Sequence, residues 1–183
     1  MQDGIYHLTR FFKQTMAAFA LAALTLPGPA AAQQDTAQAT ETVKATHGTW
    51  DIVCATAQAD RCVMRQIGKN AGGEMVIDVR IRKLEGVTTQ DGKTFPAAIQ
   101  ITTPLGTILR AGVTVKVDAG EPRTGAFEVC LPSGCILRDP MSEEFLASLK
   151  AGKTANMTFN LLQSGTVNVS ISLKGFTKAF KAL

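Results

Sequence analysis

The sequence predicts a mainly β fold, an antiparallel β-sandwich or barrel-like domain with one or two short helices. Three observations predict it. Apolar residues recur at every second position in segment after segment, Gly, Pro and Asp-Gly turn signals separate those segments, and the four cysteines fall into two close pairs behind an export leader. Alternation with period two fits a strand that buries one face, because successive side chains on a strand point to opposite sides. Many short strands with turns between them favour an antiparallel arrangement.

Residues 1–32 read as a signal peptide. A cationic stretch ending in Arg10 and Lys13 precedes the apolar run 16–26, which is followed by Pro27-Gly28-Pro29 and Ala30-Ala31-Ala32, with cleavage expected after Ala32. The apolar run is shorter than the roughly 20 residues a membrane-spanning helix needs. No cysteine adjoins the cleavage site, so no lipid attachment is expected there. Residues 33–46 are mostly Gln, Thr and Ala with hardly any large apolar side chain, and read as a flexible linker. Residues 47–183 have the length of one domain with a single core.

Within that domain, Trp50, Ile52 and Cys54 alternate with Asp51 and Val53, and 62–67 reads as a short return strand. Ile77, Val79 and Ile81 alternate with Asp78, Arg80 and Arg82, which places the charges on the opposite face. Asp91-Gly92 supplies a turn, 97–102 a strand, and Pro104-Leu105-Gly106 a further turn. Val113, Val115 and Val117 continue after Gly112, and Phe127 and Val129 lead into Cys130. Ala155, Met157 and Phe159, then Val167, Val169, Ile171 and Leu173, complete the strands. Ser142 N-caps a helix over 143–150, with acids in its first turn, a lysine in its last and Gly152 to end it. At the C-terminus Phe176, Ala179, Phe180 and Leu183 recur at helical spacing, with Lys174, Lys178 and Lys181 mostly on another face. These lysines are a candidate partner or membrane contact; the plainer expectation is a terminal helix that docks its phenylalanines on the sheet.

Four cysteines allow three pairings, and in an exported chain they read as a disulfide framework. Local pairing, Cys54 with Cys62 and Cys130 with Cys135, is the geometric preference, because adjacent antiparallel strands and a tight turn would bring each pair together. Stability does not choose it: chain entropy gives about 2 to 3 kcal/mol for such short loops and about 4.5 kcal/mol for a long bridge. Neither spacing is the Cys-x-x-Cys of a redox catalyst. Zinc is not expected either, since His47 is the only histidine left after cleavage and paired cysteines have no thiolate to offer.

No catalytic constellation emerges, and the chain is expected not to be an enzyme. No serine stands in a Gly-x-Ser-x-Gly setting, and Glu143-Glu144 reads as a solvated helix start. Gly72-Gly73 lacks the Gly-Lys-Ser/Thr of a phosphate loop, and no cofactor is expected. Asn156-Met157-Thr158 and Asn168-Val169-Ser170 match a glycosylation acceptor pattern but fall inside expected strands. The net charge of +4 is too small for a nucleic-acid binder.

The ordered set Trp50-x-x-x-Cys54, Cys62, Phe95-Pro96, Cys130 with Gly134-Cys135, Leu149-Lys150-Ala151-Gly152-Lys153 and Ser172-Leu173-Lys174-Gly175-Phe176-x-x-Ala179 resembles the invasion-associated locus B family. The resemblance spans residue 47 to the end. It implies a small, exported, mostly β, disulfide-bonded bacterial protein, associated in some pathogens with entry into host cells. No catalytic residues are assigned to that family, so only the four cysteine positions carry over. The resulting expectation is a periplasmic or secreted protein, or one associated with the outer membrane, that binds an envelope or host-surface partner. A periplasmic small-ligand carrier or an enzyme of unrecognised type is the alternative, and a deep apolar pocket with a few polar groups would favour it.

Overall fold

The computed structural model describes residues 41–56, 58–85, 88 and 92–183, and only the backbone of 58–60. The expected leader, its cleavage site, residues 33–40 of the expected linker and Asp91 of the expected turn lie outside the described residues.

The described residues form eleven strands and two α-helices: β1 Glu41–His47, β2 Trp50–Ala55, β3 Gln58–Lys69, β4 Met75–Lys83, β5 Ala97–Thr103, β6 Val113–Val117, β7 Arg123–Gly125, β8 Val129–Leu131, β9 Gly134–Met141, α1 Glu143–Ala151, β10 Thr154–Leu161, β11 Gly165–Ser172 and α2 Phe176–Ala182. They pair antiparallel into a seven-stranded sheet, β1-β2-β3-β4-β5-β9-β8, and a four-stranded sheet, β11-β10-β6-β7. The two sheets stack as a sandwich and do not close into a barrel.

Three stretches differ from the sequence expectation. Residues 41–46 are not linker but most of β1, an edge strand whose residues are largely exposed. Pairing along β2 holds it in place rather than burial, so its composition carries no apolar signal. The return strand is longer than 62–67, because β3 runs from Gln58 to Lys69. The third, β9, was not expected as a strand at all. Gly134, Cys135, Ile136 and Leu137 are all buried, which erases alternation, and Pro140 argues against a ladder position. Pro140 is tolerated because β8 pairs only with 134–136, leaving the later part of β9 with a neighbour on one side.

A seven-stranded sheet is wider than its four-stranded partner, and the helices cover what remains. Strand β11 lies over β3, where Gly68 makes room: a Cβ there would meet Val169 Cγ1 at 2.5 Å and Ile171 Cδ1 at 2.7 Å. Beyond that contact, α2 packs over β1 and β2. Phe176 meets the Trp50 ring edge-on with centroids 5.2 Å apart, and Trp50 Nε1 donates to the Ser172 carbonyl at 3.0 Å. Thr49 N–H donates to the Lys174 carbonyl at 3.1 Å, which ties the β1–β2 turn to the start of α2. Gly175, at φ +89° and with the His47 carbonyl where a Cβ would stand, is required at this junction. Trp50 and Ser172 through Phe176 therefore form one clasp. The terminal helix docks its phenylalanines, as the plainer expectation had it: Phe176 is 1% and Phe180 8% exposed.

Candidate interaction face

Both cysteine pairs lie in the seven-stranded sheet as directly opposed residues of neighbouring strands. Cys54 on β2 is bonded to Cys62 on β3, and Cys130 on β8 to Cys135 on β9, with Cα atoms 4.1 and 3.9 Å apart. The bonds sit on the two flanks of the sheet and leave the strands between them, β4 and β5, free of covalent ties. Cys54 and Cys135 are 2% and 1% exposed, and no cysteine among the described residues is free.

The face of this sheet turned away from the sandwich carries a polar row in register across five strands: Asp51, Arg65, Arg80, Gln100 and Arg138. Directly opposed residues project to the same side, so four non-local strands bring three guanidiniums and an amide into line. Asp78, two residues before Arg80 and hence on the same face, accepts from Arg65 Nε at 3.1 Å and from Arg80 Nη2 at 3.1 Å. Glu41 of β1 pairs with Arg80 and lies 3.7 Å from Arg65. Arg138 donates to Gln100 Oε1 at 3.0 Å and to Glu128 at 2.9 Å. Burial works against the charge on Arg80, but its bonds to Glu41 and Asp78 outweigh that cost and lift its pKa above the ordinary arginine value.

Arg82 is different. It follows on the same face, opposite Ala98, which is itself opposite Pro140, and is exposed with no ion pair among the described residues. With Arg80 and Arg138 it rims a trough of about 460 Å³ whose floor includes Val63, Ala98 and Pro140. An apolar floor, two ion-paired guanidiniums in one row and, one row further along β4, a guanidinium with no ion pair among the described residues make a surface able to take a partner that presents both apolar area and a carboxylate or phosphate.

The outer face of the four-stranded sheet offers no such opening. Asn156 accepts from Ser170, Thr158 donates to Asn168, and Thr166 donates to Asn160, all at 2.7 to 2.8 Å between directly opposed residues. The two asparagines of the glycosylation-like tripeptides are thus members of a neutral cross-strand ladder.

Lys174, Lys178 and Lys181 are exposed around α2, on the sandwich side of the large sheet, and do not join the arginine trough. Two lysines that the sequence did not mark as candidate contacts adjoin them: Lys83 and Lys150 hold their ammoniums 5.4 and 4.7 Å from the centroid of the Phe180 ring. The charged side of β4 was visible as alternation of Asp78, Arg80 and Arg82 with the isoleucines and valine. Its partners Gln100 and Arg138 were not, because their place beside it depends on non-local register. No group of His, Cys, Asp and Glu among the described residues is arranged to hold a metal ion, and no described helix is long and apolar enough to cross a membrane.

Residues 50–183 match the family model described as Invasion associated locus B (IalB) protein. The Invasion protein B homolog of Brucella abortus strain 2308 is 31% identical over 160 residues, which cover 86% of this chain and 82% of that protein. Invasion protein B of Bartonella bacilliformis is 24% identical over 188 residues, covering 98% of this chain and 95% of that one. The crystal structure of invasion associated protein B from Bartonella henselae superposes with a TM-score of 0.60 at 23% identity, over 77% of this chain and 95% of that one, and so shares the fold.

Proposed function

This chain belongs to the invasion-associated locus B family, and from that premise we propose that it is an exported, non-enzymatic protein of the bacterial envelope or its surroundings. It acts by binding an envelope or host-surface partner through the outer face of the seven-stranded sheet. Export is supported by the two disulfides, which persist in oxidising compartments, and by the leader-like N-terminus. A role at the boundary with a host is supported by the names of the relatives, which are invasion proteins.

Arg82 is the observation that carries the choice of surface: an exposed guanidinium with no ion pair among the described residues, over an apolar floor and one row along from arginines already held by carboxylates. Ion pairs fix the flanking side chains before a partner arrives, which lowers the ordering cost of binding. The lysines around α2 provide a second, peripheral contact with anionic lipid that keeps the protein near a membrane surface.

The test is Arg82→Glu in the tagged full chain, expressed in its own envelope and crosslinked before capture. The substitution breaks no ion pair among the described residues, so the melting temperature is expected to stay within a degree or two. At least a tenfold loss of the partner recovered with the wild type is expected. Equal recovery with both proteins would refute this surface, and recovery of no component above the untagged control would refute partner binding itself.

A further inference from the structure

A second site lies between the two sheets, and Ile99, Asp139 and Pro140 border both it and the arginine trough. Where the short β7 crosses β9, the two sheets do not close on one another and leave a cavity of about 190 Å³. Its walls are Ile99, Ile101, Val113, Val115 and Leu137, each at most 6% exposed. Phe95 and Phe145, both half-buried, flank it. An apolar cavity of about 150 Å³ is enough to hold benzene, so this one accommodates a single ring or a branched alkyl group of similar bulk.

The polar end of the cavity is selective because of what is already committed there. Arg123 is bonded to Glu144 at 2.9 Å and lies over the Phe145 ring. Thr124 is bonded to Thr114, and Ser142 Oγ accepts the Phe145 N–H as the helix cap. Asp139 is left with no hydrogen bond or ion pair among the described residues. Its strand position, opposite Ile99, puts it on the cavity side of β9, where it is exposed at the mouth and also borders the arginine trough. Although Asp139 is exposed, partial loss of water around its carboxyl raises its pKa from the ordinary aspartate value. The open end thus presents an acceptor that lacks a donor, and a bound cation would offset the cost of its charge.

We propose that this cavity binds a small primary amine with a compact apolar body, the ammonium on Asp139 and the body between the sheets.

Benzylamine is the probe, with toluene and benzoate as its uncharged and oppositely charged counterparts, titrated into the mature protein with methyl-labelled Ile, Leu and Val. Benzylamine is expected to shift the methyl signals of Ile99, Ile101, Val113, Val115 and Leu137 and to bind at least tenfold more tightly than either counterpart. Asp139→Asn is expected to weaken benzylamine tenfold while leaving toluene unchanged, and Val115→Phe, which fills the space, to abolish both. Should Val115→Phe fail to fold, the methyl map and Asp139→Asn still decide. No methyl shifts with benzylamine, equal binding of toluene, preference for benzoate, or indifference to Asp139→Asn would each overturn the proposal.

Discussion

Asp139 shows how a single residue's surroundings set its behaviour. Its folded-state pKa is raised by burial, so between the unfolded and folded values the native protein holds more protons than the unfolded chain. Stability from this group therefore falls as pH rises through that window and stays lower above it. Asp139→Asn is expected to melt above the wild type at neutral pH, with the gap closing as pH falls below the carboxylate range. Calorimetry across pH checks this, and a gap that is constant or widens in acid would contradict it. The sequence offered no hint of this role, because Asp139 stands between Arg138 and Pro140 in a stretch with no strand alternation. Its isolation from Arg138 depends on alternation within β9, a strand that its own buried run conceals. Arg80 and Arg82 were legible as a charged strand face, whereas their different fates, one clamped by Glu41 and Asp78 and the other with no ion pair among the described residues, depend on which strands lie alongside.

Among the elements, the cross-strand disulfides have separable jobs. Cys54–Cys62 joins β2 to β3 next to a register shift after Cys54, and Cys130–Cys135 holds the three-residue β8 on β9. Each closes a short loop, so chain entropy assigns each about 2 to 3 kcal/mol. Replacing either pair by serines is expected to lower the unfolding free energy by about that amount in urea titrations, with the two losses adding because the pairs lie at opposite flanks. Loss of less than about 1 kcal/mol for both pairs would contradict this. Spacing had made local pairing the geometric preference, since strands joined by a short loop place such residues opposite one another. The helices were legible for a similarly local reason: Ser142 caps α1 through the Phe145 N–H at 3.2 Å, and the phenylalanine spacing of α2 matches its buried side. Strand β1 was not legible, because an edge strand held by backbone pairing needs no apolar pattern.

The whole molecule is a sandwich of unequal sheets, and its surfaces follow from that inequality. The larger sheet buries one face under β11, β10, β6, β7 and both helices, and turns the other outward with charged residues in register. The smaller sheet's outer face is closed by its own Asn, Ser and Thr ladder. Alternation and turn signals were enough to recognise two-faced strands, and hence the sandwich class. They could not show which outer face stays unsatisfied, because that follows from pairing between strands far apart in sequence. The most direct measurement of the central claim is photocrosslinking from within each face in the native envelope. A photoreactive residue at Ala98, on the floor of the arginine trough, is expected to yield a discrete crosslinked partner, and one at Thr158, on the ladder face, none. Crosslinking from Thr158 with silence at Ala98 would contradict the assignment of the outer seven-stranded face as the partner surface.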